Sequence, residues 1–425
     1  MKKLILSTAL SVISLSALAQ SGTNSPYSQF GYGKLADQSQ GFNRGMNGVG
    51  LAFRESNQVN FSNPASYSGI DSLTFIFDVG MSLQTTHFTE NGIGKNANNA
   101  DFEYAVGAFR LVKHVGMSFG FLPYTNVGYN YSSSTTVPNY NVLPSTSTEV
   151  TNTQTYSGSG GLRQFYVGAG WQTPINGLSI GMNLSYLWGT VTNALTSAYS
   201  DNSVSSYTRQ YGITARTYKL DIGAQYSTTL KNKDVATIAL TYSPGHSIGA
   251  THELTINSNT VVPATDKASL PTTLGAGLSL RHNQKWLFGL DYTMQKWSTV
   301  KFPVYENNTY ITQTDVFSDR HRINAGMEYC RKPDGLKFAD KIKYRFGMGY
   351  TSPYLKINGN DGPKEFSMSA GVGIPIVNSW NNRSTLNIGV QWQNMSGNNL
   401  LTENTFLINI GLTFNERWFA KWKFE

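Results

Sequence analysis

The chain has 425 residues, one cysteine, a formal charge of +8 and only 14% charged residues against 13% aromatics. A lone Cys330 excludes an intrachain disulfide and a cysteine-built metal site. The low charge content, 41 glycines and 24 tyrosines suit a β-rich membrane protein better than a soluble two-domain enzyme.

Residues 1–19 read as a signal peptide. Lys2 and Lys3 form the positive start, Leu4 to Leu15 the apolar run, and Ala17-Leu18-Ala19 the small-residue cleavage site, so the mature chain starts at Gln20. No later apolar run is long enough for a membrane helix. Residues 20–72 show no period of two and are rich in Gly, Ser, Asn and Gln. They still carry Phe30, Tyr32, Phe42, Met46, Val49, Leu51, Phe53 and Phe61. That is too apolar for a solvated tail and too little for an independent core. A hatch or plug inside a larger structure satisfies both constraints.

From Leu73 the pattern changes. Fourteen stretches alternate apolar and polar residues, as in Trp286, Phe288, Leu290, Tyr292 and Met294 against Leu287, Gly289, Asp291 and Thr293. They fall at 73–83, 102–112, 115–131, 162–173, 178–190, 209–229, 235–250, 269–281, 285–298, 319–330, 341–354, 364–376, 383–395 and 403–414. Period two makes strands with two unlike faces. Behind a secretion signal, such a series reads as a transmembrane antiparallel β-barrel of about 14 strands, residues 73–414, with lipid outside and a polar lumen. Connections alternate between short ones, such as Lys113-His114, and long ones at 84–101, 132–161, 191–208, 251–268 and 299–318. Barrels of the outer membrane place short turns in the periplasm and long loops outside, so both termini are expected in the periplasm. Trp171, Trp188, Trp286, Trp297 and Trp392 fall near strand ends, where an interfacial girdle sits.

Glycines crowd the polar register: Gly80, Gly107, Gly116, Gly120, Gly168, Gly170, Gly181, Gly223, Gly275, Gly277, Gly289, Gly326, Gly347, Gly349, Gly371, Gly373, Gly389 and Gly411. Glycine weakens strands, so this density needs a reason. Curvature explains individual positions; the set as a whole points to a lumen packed with chain. Two prolines interrupt strand patterns, Pro123 and Pro244, and are candidate wall kinks because proline removes a ladder donor. The plainer reading, a strand leaving the membrane, weighs equally for Pro123 and more heavily for Pro244. The tail 415–425 holds Trp418, Phe419, Trp422 and Phe424 beside Arg417, Lys421 and Lys423. An interfacial anchor is the simpler reading; a partner-binding tail is the other.

Three segments resemble the start of FadL-type (OMPP1/TodX) outer-membrane proteins, with a Bacteroidota-like flavour. They are Ser25-Pro26-Tyr27-Ser28-Gln29-Phe30-Gly31-Tyr32-Gly33, Arg44-Gly45-Met46-Asn47-Gly48-Val49-Gly50 and Asn60-Phe61-Ser62-Asn63-Pro64-Ala65-Ser66. Asn63, Pro64 and Ala65 match that family's hatch element. The resemblance implies a monomeric barrel with a hatch, and in its transport members a lateral wall opening at an inward strand kink. It implies passive uptake of hydrophobic, fatty-acid-like molecules; the alternative is an accessory barrel subunit of an outer-membrane protein assembly or secretion machine. Expected contacts are membrane lipid, outer-leaflet lipopolysaccharide, a hydrophobic ligand or machinery subunits.

Catalytic, cofactor and metal residues are not expected. The six histidines form no HxH or HExxH pair, and no Ser/His/Asp arrangement stands out. Scattered Lys and Arg with no basic helix argue against nucleic acid.

Overall fold

The computed structural model describes residues 22–138, 149–201, 204–230, 234–264, 268–306, 309–333, 335, 337–376 and 384–417. Residues 1–19, expected as a signal peptide, and the tail from Trp418 to Glu425, including Phe419, Trp422 and Phe424, lie outside the described residues.

Fourteen antiparallel strands close into a barrel. They are β1 (Thr74–Glu90), β2 (Ile93–Val112), β3 (Val115–Pro123, continued as Thr125–Pro138), β4 (Glu149–Gln172), β5 (Leu178–Tyr199), β6 (Tyr207–Thr229) and β7 (Val235–Ser243, continued as Ser247–Ile256). The rest are β8 (Thr272–His282), β9 (Trp286–Lys296), β10 (Arg320–Cys330), β11 (Lys343–Thr351), β12 (Lys364–Ile376), β13 (Ser384–Ser396) and β14 (Thr402–Arg417). Each pairs with its sequence neighbour, and β14 pairs with β1 from Thr74↔Arg417 to Thr89↔Thr402. That last pairing closes the sheet on itself through the lipid-facing belt, as a strand array in lipid requires.

The outward face carries the apolar half of the alternation. Met81 and Leu83, then Ile180, Met182, Leu184 and Tyr186, then Ile238, Leu240 and Tyr242, then Ile388, Val390 and Trp392 are all solvent-exposed. A continuous ring of exposed large apolar groups is a lipid-facing belt. Trp171 and Trp392 point outward, while Trp188 stacks on Tyr186 and Trp286 on Phe288. Trp297 does not join the girdle. A 3-10 turn at Trp297–Thr299 turns it inward, where it is 1% exposed against Phe317 and Tyr354.

Several stretches expected as loops are strand. β1 and β2 continue through 84–101 to a two-residue turn at Asn91-Gly92, both with positive φ. This is the primed hairpin geometry that an Asn-Gly pair favours. β4 and β5 likewise run through 149–161 and 191–199. These portions carry Ser, Thr and Asn on both faces, so they lack the alternation that lipid imposes lower down.

Residues 22–72 lie within the barrel. Their short elements are a 3-10 turn (Pro26–Gln29), a bridge (Lys34–Leu35), a helical turn (Gly41–Arg44) and a 3-10 helix (Pro64–Gly69). Met46, Val49, Val59 and Ala65 are fully buried.

Candidate functional site

The lumen glycines form a track on which the inner segment runs. A Cβ placed on Gly116 would lie 1.9 Å from the Tyr67 carbonyl oxygen, and one on Gly170 would lie 2.4 Å from that of Pro64. On Gly223 it would meet Asn63 Oδ1 at 2.0 Å, on Gly289 Val49 Cγ1 at 2.6 Å, and on Gly347 the Met46 carbonyl carbon at 2.2 Å. Gly371 and Gly411 are within reach of the Cα atoms of Gly45 and Gly41. These wall positions admit no side chain while the segment stays where it is. Gly107 differs: its missing Cβ faces the ring of Phe119, which is exposed on the lipid side. It lies off the track because β2 presents Tyr104, Val106 and Ala108 to the interior instead.

Polar wall residues satisfy the segment's backbone. Asp291 Oδ2 accepts from Gly50 N (2.7 Å) and Leu51 N (2.9 Å). Gln225 donates to the carbonyls of Leu51 and Phe53. Tyr104 accepts from Gly41 N (2.6 Å) and donates to Asp78. Asn47, at φ +55°, is a hub. Its amide donates to Ser369 Oγ, its side chain donates to Asn324 and Ser367, and it accepts from Gln391. Sequence reading missed this hub, although its Met46-Asn47-Gly48 turn was the available signal.

Asn63 caps the 3-10 helix by accepting from Ala65 N at 3.1 Å, and donates to Leu51 O (2.9 Å) and Ala224 O (3.3 Å). Pro64 supplies the fixed φ of the first helical position. Ala65 is fully buried. The triplet thus ties the segment to β6.

Three ion pairs among the described residues also hold the segment, one of them between Glu55 and Arg281. Arg44 meets Glu103 at 2.8 Å, both nearly buried, and Asp37 meets Arg322 at 3.5 Å. Burial alone would push the Asp37 carboxyl up. Arg322 and Arg44 outweigh that and hold it below the ordinary carboxylate range.

Pro123 and Pro244 both mark interruptions in the wall. β2 pairs with β3 only as far as Ala105↔Phe121. Past Pro123 the strand bends at Tyr124 and takes Lys34–Leu35 of the inner segment as its neighbour, at Asn126 and Thr125. Residues 93–104 of β2 have no ladder partner on that side among the described residues. Phe119 and Phe121 are the last apolar residues on the outward register before the bend, Leu122 being buried inside, so the opening lies at the rim of the lipid-facing belt. At Pro244, β7 breaks for three residues but resumes at Ser247 and pairs again with β6. It therefore does not mark the end of the strand.

The cavities differ in chemistry. A cavity of about 170 Å³ beneath the Lys34–Leu35 bridge is lined by Asp37, Lys219, Asp221, Asp291, Arg320 and Arg322. A larger one, about 510 Å³, lies at the long-hairpin end between Phe30, Tyr129, Tyr156, Tyr211, Phe302 and Tyr310. The buried cluster of Tyr32, Trp297 and Phe317 packs beneath it. Among the described residues no group of His, Cys, Asp and Glu side chains could hold a metal ion.

A family model described as BamG matches residues 1–425. No curated protein matches the chain. Among solved structures, the Ralstonia pickettii toluene transporter TbuX aligns with a TM-score of 0.60 at 14% identity, covering 90% of this chain and 99% of its own. A Pseudomonas aeruginosa FadL homologue gives 0.59 at 9% identity, covering 90% and 99%. The P. putida toluene transporter TodX gives 0.55 at 14% identity, covering 92% and 99%. At such identities the likeness is one of fold.

Proposed function

The chain belongs to the BamG family, and we propose that it is an outer-membrane barrel acting as an accessory subunit of a protein assembly or secretion machine. The observation that carries this reading is the filled lumen. The inner segment touches wall glycines at backbone distance, and the cavity beside it is small and lined by ionic side chains. An apolar molecule crossing it would have to desolvate those charges, at several kcal/mol each. The wall opening beside Pro123 leads out at the belt's rim rather than into the hydrocarbon centre. On this reading the short turns and both chain ends face the periplasm, and the long hairpins and outer-leaflet lipopolysaccharide lie outside. Asn63, Pro64 and Ala65 anchor the plug. The tail with Trp418, Phe419, Trp422 and Phe424 is an interfacial anchor or a partner contact.

One observation favours passive uptake of hydrophobic molecules instead. The aromatic cavity of about 510 Å³ at the long-hairpin end is large enough for a small apolar ligand, and proteins of the same fold are named as toluene transporters.

Gentle extraction from the native membrane, followed by mass spectrometry of co-purifying proteins and lipids, separates the two. The subunit reading expects stoichiometric partner proteins and no retained amphiphile. An isolated barrel carrying bound fatty acid or hydrocarbon overturns it.

A further inference from the structure

We infer that the ionic cavity beneath the Lys34–Leu35 bridge is a lipid-headgroup site, entered from the bilayer through a break between β6 and β7. The group it takes is a phosphate ester bearing a primary ammonium, as in an ethanolamine phospholipid. The break has a structural cause. The β6–β7 ladder ends at Ile222↔Tyr242 and resumes only at Arg216↔Gly249. At Pro244 the second strand swings toward the start of β8 instead. Gly245 N donates to Thr272 Oγ1, Leu270 N donates to His246 O, and Ser247 pairs with Ser269. Residues 217–221 of β6 are left with no ladder on that side among the described residues. Side chains span the space. Ser243 Oγ donates to Leu220 O at 2.8 Å, Thr217 bonds to His246 at 3.1 Å, and the His246 ring stacks on Tyr218. Opening such a closure unzips no strand.

The cavity reaches this break. Lys219 and Asp221 of β6 line it from one side, and Thr241, Tyr242 and Ser243 of β7 from the other. Tyr242 is also 44% exposed on the outer face, beside exposed Tyr218, Ile222 and Leu240. The break therefore gives onto the lipid-facing belt, where acyl chains can lie on these side chains. Inside, the polar groups do not all satisfy one another. Lys219 pairs with Asp221, and Asp37 with Arg322. Asp291 commits Oδ2 to Gly50 N and Leu51 N. Arg320 has Gln295 Oε1 at 3.2 Å and the Tyr354 ring at 5.9 Å, but no carboxylate in ion-pair contact among the described residues. Left over are Arg320 Nε, Asp221 Oδ2 and Asp291 Oδ1, all buried and without a hydrogen-bond partner. One cationic donor and two anionic acceptors thus line a single cavity of about 170 Å³. Buried charges persist when they are paired and their remaining hydrogen bonds are made. The matching ligand brings an anionic oxygen to Arg320 and cationic N–H groups to Asp221 and Asp291. Phosphoethanolamine presents both. A choline headgroup has the same charges but no N–H, and a glycerol headgroup has no cation.

The headgroup equilibrates with the surrounding bilayer, so the test supplies it. Full-length protein in maltoside micelles, its folding verified by heat-modifiable migration, is titrated calorimetrically with O-phosphoethanolamine, phosphocholine and inorganic phosphate. The site expects O-phosphoethanolamine to bind about tenfold or more tighter than either of the others. Arg320→Gln and Asp221→Asn should each weaken it on the order of tenfold, the effect of one lost charge-assisted hydrogen bond. Lys285→Gln, on the turn between β8 and β9, should not. Equal binding of the three probes, or none, leaves water as the filling and overturns the site. Entry from the membrane is read from the heat-modifiable transition in phosphatidylcholine vesicles with and without phosphatidylethanolamine. The added lipid should raise the midpoint for the unaltered chain and not for Arg320→Gln. Binding of the soluble headgroup with an unmoved midpoint assigns the cavity to a water-borne solute and overturns entry through the break. If the variants do not fold, the selectivity of the unaltered chain among the three probes still decides. Neither result depends on whether the barrel has protein partners.

Discussion

Replacing Gly181 by alanine should loosen the inner segment without opening the barrel. The new Cβ would lie 2.4 Å from the Pro64 carbonyl carbon and 2.5 Å from Ala65 N, both backbone atoms. Ordinary carbon contacts start near 3.5 Å, so wall and segment must part by about 1 Å or distort. Overpacking of this kind costs roughly 1–3 kcal/mol, a factor of about 5–150 in the docked fraction. Gly347→Ala acts at a separate place, with its Cβ 2.2 Å from the Met46 carbonyl carbon, so the double variant should lose about 2–6 kcal/mol. The outward face of β5 and β11 is unchanged, and barrel closure should survive. Gly249→Ala is the matched control, since nothing lies within 4 Å of its added Cβ. There alanine should be neutral or slightly stabilising. The assay is limited proteolysis within residues 22–72 of protein that still shows heat-modifiable migration. A Gly181→Ala/Gly347→Ala double variant as resistant as Gly249→Ala would refute the idea that glycines set the fit.

Other outcomes follow from the polar anchors. Asn63→Ala removes the helix cap and the bonds to Leu51 O and Ala224 O; roughly 1–2 kcal/mol of docking should go, seen as faster proteolysis near residue 63. Arg44→Met leaves Glu103 buried beside Ser82 and without its guanidinium, and should cost about 3–5 kcal/mol; adding Glu103→Gln should recover a large part in the same assay. Asp37 titrates below its ordinary value in the folded protein. Its stabilising contribution is therefore complete above the unfolded pKa of about 3.9 and is lost as pH falls through the folded value. Asp37→Asn should flatten the pH dependence of the melting temperature in that acid range and nowhere above it.

Legibility followed solvent. Where a strand meets lipid on one side and polar groups on the other, as in Ile180 to Tyr186, the alternation is forced and the sequence reveals it. Above the belt both faces meet water or the packed interior, so the polar run at 149–161 carries no period and reads as loop. Lumen glycines were readable as a set because a packed interior excludes side chains. Gly107 was not separable from them, since its exclusion by Phe119 on the other face leaves the same mark. Trp297 misled because proximity to a strand end says nothing about the turn that rotates it inward. The turn at Asn47 was readable, but its partners Asn324, Ser367, Ser369 and Gln391 were not: they lie on strands distant in sequence and come together only once the pairing is known.

The seam between β1 and β14 has a consequence for how this molecule comes to exist. The two strands that close the cylinder are the earliest and the latest of the array to be synthesised, and residues 22–72 immediately precede the first. Once Thr74–Thr89 and Arg417–Thr402 are zipped, a chain as bulky as Phe42, Met46 and Phe53 can enter only by threading through an end of the cylinder. Loading the cargo before the hull is sealed avoids that passage: the inner segment folds against an open, curling sheet, and the final strand closes over it.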